Sequence, residues 1–325
     1  MGGVPRLMGG GGSLLFDEDI NFKTDNMLTL YTYKLILKSL MEIQIFKKYF
    51  SIIYNIFYYN KGIEKFIYFF LAHYWMIVKY FGISVKKKVS SGFCFQCHPS
   101  SSYSPLFYLK YSEHEDTSFL IRNSHLSQTF IDVGANIGSV TGYLFGQFKT
   151  MYLFEPSKRT FNALKASIDL NANSGVEFKV MQMGLSDENG FIDFVDEDDL
   201  SVVNRAVGMD DKEGQKVVKV EVCKLDNILP KDFNDCILKV DVEGYEEKVF
   251  LGSKKLFDKK KVKLVMFERL GRTNLTNIKF FFSSYDYKLF CINNDGQIST
   301  HEKDIDIPLI NLFACPRELF PDLVV

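Results

Sequence analysis

From Thr129 onward, short apolar runs rich in β-branched and aromatic residues alternate with segments of helical periodicity. Strands separated by a helix's length of chain cannot close as hairpins. They line up in parallel, with helices covering both faces of the sheet. The runs predict seven strands: Thr129 to Val133, Thr150 to Phe154, Glu177 to Gln182, Cys236 to Val240, Val262 to Phe267, Lys288 to Asn293 and Leu309 to Ala314. The expected fold is therefore α/β, a doubly wound, seven-stranded, mostly parallel Rossmann-like sheet. Between the third and fourth runs, Phe191 to Phe194 and Lys216 to Lys224 alternate as half-exposed antiparallel strands do, and they flank the acidic stretch Asp196 to Asp199. An inserted β-hairpin or lid is expected there.

Upstream the texture differs. Residues 1–27 are glycine-rich and acidic and show neither the basic n-region nor the apolar h-region of a signal peptide, so they read as a disordered lead-in. Residues 28–89 turn to Phe, Tyr, Ile, Leu and Lys at helical spacing and read as a helical extension, leaving 90–325 for the main domain. The longest uncharged runs of the extension, Tyr49 to Asn60 and Phe66 to Val78, fall short of the roughly 20 residues that a spanning helix needs. Two roles fit it. A cap packed on the main domain is preferred, because aromatic amphipathic helices are mostly core. A peripheral contact with a membrane is the other, suited by the interleaved Lys47, Lys48, Lys61, Lys65, Lys79 and Lys86 to Lys88.

The whole chain carries 39 Lys plus Arg against 40 Asp plus Glu, a net charge of -1, so no overall field draws it toward nucleic acid and no such partner is expected. The six cysteines have no regular spacing and read as reduced thiols of a cytoplasmic protein. Cys94, Cys97 and His98 spell C-x-x-C-H, the pattern of covalent haem attachment, which matures outside the cytoplasm. The preferred reading is a strand that places Phe93, Phe95 and Cys97 on one side. A zinc site would have to recruit His114 and His125, and no metal is expected.

The sharpest local signal is FIDVGANIGSVTGYL, Phe130 to Leu144: an apolar strand, an acid, a glycine turn and a helix. Gly134 and Gly138 let the backbone approach a ligand with no Cβ in the way, and Asp132, Ala135 and Asn136 belong to the same turn. A dinucleotide-binding turn would need glycine at 134, 136 and 139, but Asn136 and Ser139 stand there, which disfavours NAD. In YLFEP a second strand ends in Glu155, where a carboxylate can accept both hydroxyls of a ribose; a plain charge at a helix N-terminus is the alternative. In QMGLSDENG the third strand opens into a polar turn whose Asp187 can reach an adenine amino group, although the composition is also that of an ordinary turn.

ILKVDVEGYEEKVFLG ends a buried strand in Asp241 and Glu243, and VKLVMFERLG ends another in Glu268 and Arg269. These positions fall at the carboxyl ends of strands, where open α/β sheets bind their ligands. Carboxylates are expensive to leave unpaired beside a core. Asp132, Glu155, Asp241, Glu243 and Glu268 around one crevice therefore point to a polar, cationic or hydroxyl-bearing ligand.

Taken together, FIDVGANIG, FEP, LKVDVEGYE and a strand ending in Glu resemble the FkbM family of S-adenosylmethionine-dependent methyltransferases over about Ser90 to Pro316, and PSSSYSPLFYLKYSEHEDTSFL resembles that family's lead-in. The resemblance implies a methyltransferase sheet and methylation of a hydroxyl on a sugar, glycan or other small molecule. The chain departs from the family pattern at FERL, where a His or another polar residue would follow the Glu, and in a longer acidic hairpin.

On this reading the reaction is an in-line SN2 transfer from a sulfonium to an oxygen, which depends mostly on positioning. Gly134, Ala135, Asn136 and Gly138 form the cofactor turn, Asp132 and Asp241 lie near the cofactor's ammonium group, Glu155 takes the ribose and Asp187 the adenine. Glu268, Glu243 or Asp241 serves as the base. Two other classes remain open: a non-catalytic docking protein that retains the fold, with its N-terminal helices as the functional part, and an NAD-dependent oxidoreductase.

Overall fold

The computed structural model describes Ile53, Ile56 and residues 62–99, 115–196, 205–206, 216–293, 296–308 and 310–325. The expected lead-in, most of the helical extension, the tip of the acidic stretch at 197–199 and His114 lie outside the described residues. The chain divides into two compact units, Met1–Phe69 and Phe70–Val325. In the first, the described residues are Ile53, Ile56 and 62–69, the last of which open helix Glu64–Tyr80. Among the described residues no helix is long and apolar enough to cross a membrane.

The second unit begins its sheet structure with a hairpin of β1 (Val85–Lys88) and β2 (Cys94–Cys97). Phe93, Phe95 and Cys97 are fully buried while Cys94 and Gln96 are half-buried, the one-sided strand expected in place of a haem or zinc motif. Burial pushes the Cys97 thiol up to about 12, so it stays protonated and inert. The hairpin is fastened to helix Lys158–Leu170: the amide of Cys94 donates to Asn171 Oδ1 at 3.0 Å and that of Gln96 to Ser167 Oγ at 3.1 Å.

The main sheet uses β3 (Thr129–Val133), β4 (Thr150–Phe154) and β5 (Glu177–Met181), then, after an insertion, β10 (Cys236–Val240), β11 (Val262–Arg269), β12 (Tyr287–Ile292), β13 (Ile298–Ser299) and β14 (Ile310–Pro316). Their order is β13-β12-β14-β11-β10-β3-β4-β5. All pairings from β11 through β5 are parallel, and those beyond β11 are antiparallel. The sheet is thus α/β, large and mixed, with eight strands where seven were expected; the extra one, β13, is two residues long and leaves no alternation to read.

The chain moves outward in one direction from β3 through β4 to β5, then returns to start β10 on the other side of β3. That reversal is a topological switch point, and open α/β sheets bind their ligands outside the carboxyl ends of the strands there, here β3 and β10. Apolar residues alternate cleanly to the sheet's two faces. Phe130, Met151, Leu153, Ile237, Leu264 and Met266 join one core, and Ile131, Val133, Phe154, Leu238, Val240 and Phe267 the other.

The insertion holds β6 (Gly184–Leu185), β7 (Gly190–Val195), β8 (Arg205–Ala206) and β9 (Val217–Cys223). Strands β7 and β9 pair antiparallel, with Phe191 opposite Glu221 and Phe194 opposite Val218. They are the centre of a four-stranded sheet, β6-β9-β7-β8, which corrects the expected simple hairpin. The sheet is tied to the residues that follow β4, because Ser157 Oγ donates to Asp196 Oδ1 at 2.8 Å.

Candidate functional site

Register brings the predicted residues to one rim. Val133 pairs with Phe154 on one side and Val240 on the other, and Val240 pairs with Phe267. The next residues along these four strands are Gly134, Glu155, Asp241 and Glu268, which therefore stand side by side at the carboxyl edge.

The turn after β3 is built for close approach. Gly134 has φ +76°, and a Cβ there would lie 1.9 Å from the carbonyl oxygen of Asp241. No other residue fits, so the tips of β3 and β10 touch backbone to backbone. The amides of Gly134 and Ala135 both donate to Phe154 O at 3.0 Å. Asn136, left-handed at φ 52°, donates its amide to Glu155 Oε2 at 2.9 Å, and the Ser157 amide donates to Glu155 Oε1 at 3.0 Å. Glu155 is only 5% exposed; burial pushes its carboxyl up to about 7, against the pull of those two amides and of Lys239.

Asp132 is sealed behind the rim. It is fully buried, accepts from Thr141 Oγ1 at 2.7 Å and pairs with Lys239 Nζ at 3.0 Å. It has no exposed surface on the rim. Lys239 was missed from sequence, yet it organises the rim: it also reaches Asp241 Oδ2 at 3.3 Å and donates to Gly134 O at 2.9 Å. Burial works against its charge, but Asp132 and Asp241 outweigh burial and hold the ammonium above its usual range.

Asp241, by contrast, keeps 41% of its side chain exposed. Oxygens of Asp241, Glu243 and Glu268 all lie within 4.8 Å of one another. Such crowding is costly for like charges and favourable for any cation placed among them. Burial first, then Asp241, Glu243 and Glu246, raise the Glu268 carboxyl to about 8. Glu243 sits at φ 57° and is held by Arg272, whose Nη2 lies 2.6 Å from Glu243 Oε2 and whose Nε donates to Glu243 O at 2.6 Å. Gly244, at φ +101°, lets the Arg272 side chain pack against the turn. Glu246, fully buried, accepts from the Gly244 amide at 2.9 Å, and burial raises its carboxyl to about 7.

Residues 132–289 match the methyltransferase FkbM domain. The matched stretch is just under half of the chain and contains the whole of the rim. Among solved structures it is similar to the methyltransferase FkbM of Methylobacillus flagellatus KT, at 15% identity and a TM-score of 0.41 over 78% of this chain; the chain spans 59% of that protein's length. It is also similar to the tRNA (uracil-54, C5)-methyltransferase of Pyrococcus abyssi in complex with S-adenosyl-L-homocysteine, at 12% identity and a TM-score of 0.36 over 71% of this chain and 43% of that one. A third is the magnesium protoporphyrin IX methyltransferase of Synechocystis PCC 6803 with bound SAM, at 10% identity and a TM-score of 0.35 over 63% and 79%. No curated protein matches the sequence.

Within the matched residues, Asp187 is engaged by the chain itself. Burial would raise its carboxyl, but hydrogen bonds from Lys248 Nζ at 2.8 Å and Ser186 Oγ at 3.1 Å outweigh it and hold it below the usual range. Beside it, Gly252 packs so closely that a Cβ would lie 1.9 Å from Ser186 O, fixing the turn after β6 against the end of helix Glu246–Leu251. A lysine in an otherwise apolar buried strand was the available signal for Lys239, since such a charge must find a counter-charge. Arg272 and Gly252 carry no comparable signal.

Proposed function

We propose that the FkbM domain transfers a methyl group from S-adenosylmethionine to a hydroxyl of a sugar, glycan or other small molecule. The observation that carries this reading is the rim itself, where a glycine turn and an exposed Asp241 adjoin the crowded Glu243 and Glu268 at one topological switch point. The cofactor fits that donor set: it is cationic at sulfur and at its amino group, and it carries a ribose diol. When bound, it supplies an electrophilic methyl group.

The chain's own residues have separable tasks. Asp241 accepts from the ammonium group, while Asp132, through Lys239, fixes where Asp241 and the Gly134 carbonyl stand. Each Glu155 oxygen receives one backbone amide and retains a lone pair for a ribose hydroxyl. Asp187 exchanges part of its bonding to Lys248 for the adenine amino group. Glu268 takes the acceptor hydroxyl's proton. It is protonated at neutral pH when no cation is near, and a positive charge among the three carboxylates lowers its pKa and frees it to act as a base.

The test is direct. S-adenosylmethionine or its demethylated product should raise the melting temperature in a saturable way, and labelled methyl should pass to a fraction of cell extract. Stabilisation by NAD and not by these ligands would overturn the reading.

A further inference from the structure

Helix Glu64–Tyr80 has two unlike faces along its second half. Ala72, Trp75 and Val78 are buried, and Trp75 and Val78 join the core that also holds Phe93 and Phe95. The opposite face is just as apolar and points to solvent. Tyr74, Ile77 and Phe81 recur at the spacing of one helical stripe, with Tyr80 and Ile83 at its end; Tyr80 is 85%, Phe81 67% and Ile77 57% exposed. An exposed stripe of large apolar residues marks an interaction surface more often than it marks plain solvent contact.

Charge identifies the occupant. From Phe70 to Cys97 the sequence has no Asp or Glu, but it has Lys79 and Lys86 to Lys88. On β1, which follows the stripe directly, Lys86 and Lys88 point outward while Val85 and Lys87 are half-buried. A second copy of this chain would bring the same lysines against each other. An anionic bilayer complements both features at once: Phe and Ile enter the acyl boundary, Tyr sits at headgroup level, and lysines meet the lipid phosphates and carboxylates. We infer that the stripe Tyr74, Ile77, Tyr80, Phe81 and Ile83, together with Lys86 and Lys88, docks this protein on the surface of an anionic membrane without crossing it.

The experiment is co-sedimentation of the full chain with vesicles of phosphatidylcholine alone and of phosphatidylcholine containing about 30% phosphatidylserine, the anionic lipid supplying the surface potential. Binding should be strong only with phosphatidylserine and should weaken with salt. Lys86→Gln with Lys88→Gln should lower the partition coefficient about thirtyfold on the anionic vesicles. Ile77→Ser with Phe81→Ser should lower it by about tenfold or more. Both pairs alter exposed side chains, so their circular dichroism and melting should match wild type. Phe280→Ser, an equally exposed apolar site on helix Leu275–Ser284, should bind as wild type does. The proposal is overturned if the full chain ignores phosphatidylserine vesicles, if the stripe variants bind as well as wild type, or if light scattering shows a dimer that Ile77→Ser dissociates while vesicle binding is absent.

Discussion

Lys239 Nζ lies 3.0 Å from an oxygen of Asp132, between two side chains that are 5% and 0% exposed, and the two residues sit opposite each other in the β10–β3 register. Removing one partner leaves a buried charge uncompensated. Lys239→Met is therefore expected to destabilise the fold by roughly 3–5 kcal/mol in urea unfolding, and Asp132→Leu added to it should return much of that loss. A double variant no more stable than Lys239→Met would mean that the pair does not act as a unit.

Gly134 and Gly146 share a left-handed backbone, at φ +76° and +82°, but differ in their surroundings. At Gly146 no atom lies within 4 Å of the point a Cβ would occupy, so Gly146→Ala should cost only the roughly 1–2 kcal/mol of left-handed strain. Gly134→Ala adds a clash with the Asp241 carbonyl and should both destabilise the chain further and abolish cofactor binding by calorimetry. Equal effects of the two substitutions would contradict the close approach of β3 and β10.

Glu155→Ala should weaken cofactor affinity with the fold intact, because its oxygens organise the Asn136 and Ser157 amides and, on the proposed function, accept from the ribose. Glu268→Gln should instead slow turnover by about 10²–10⁴ while leaving affinity at neutral pH within a few-fold. A wild-type rate for Glu268→Gln would remove it as the base.

Protonation gives a signed test of the rim. A bound cation lowers the raised Glu268 pKa, so binding releases a proton, and affinity should climb by about tenfold or more between pH 6 and 8. In Glu268→Gln the slope should be much flatter. Isothermal titration in buffers of different ionisation enthalpy reads the released proton itself.

Glu246 makes an opposite contribution to folding. Its carboxyl is raised to about 7 in the folded chain against about 4.3 when unfolded, so the folded state holds the extra proton between those values. Its stabilising contribution is complete below about pH 4.3 and is lost as pH rises through 7. Unfolding midpoints of Glu246→Gln should fall less than those of wild type between about pH 5 and 8.

Much of this architecture was legible because burial writes period and composition into strands. β3, β4 and β10 have the bounds read from sequence, and the other long strands differ by a residue or two at their ends. β13 escaped because two residues carry no period, and β6 and β8 escaped for the same reason. The rim was legible as a set of strand-end acids but not as a network. Which of them is open to solvent depends on register: Asp132 lies one residue before the end of β3, beside Lys239, and is sealed, whereas Asp241 lies one residue past the end of β10 and opens outward. Arg272 reaches Glu243 from 29 positions away, a distance in sequence that no local pattern spans.

Strand β14 enters the sheet between β11 and β12, although both precede it in the chain. During synthesis β11 and β12 therefore have no permanent neighbour between them, and their facing edges stay unpaired until residues 310–316 have left the ribosome. The nascent chain carries these two unpaired edges for the whole of that interval.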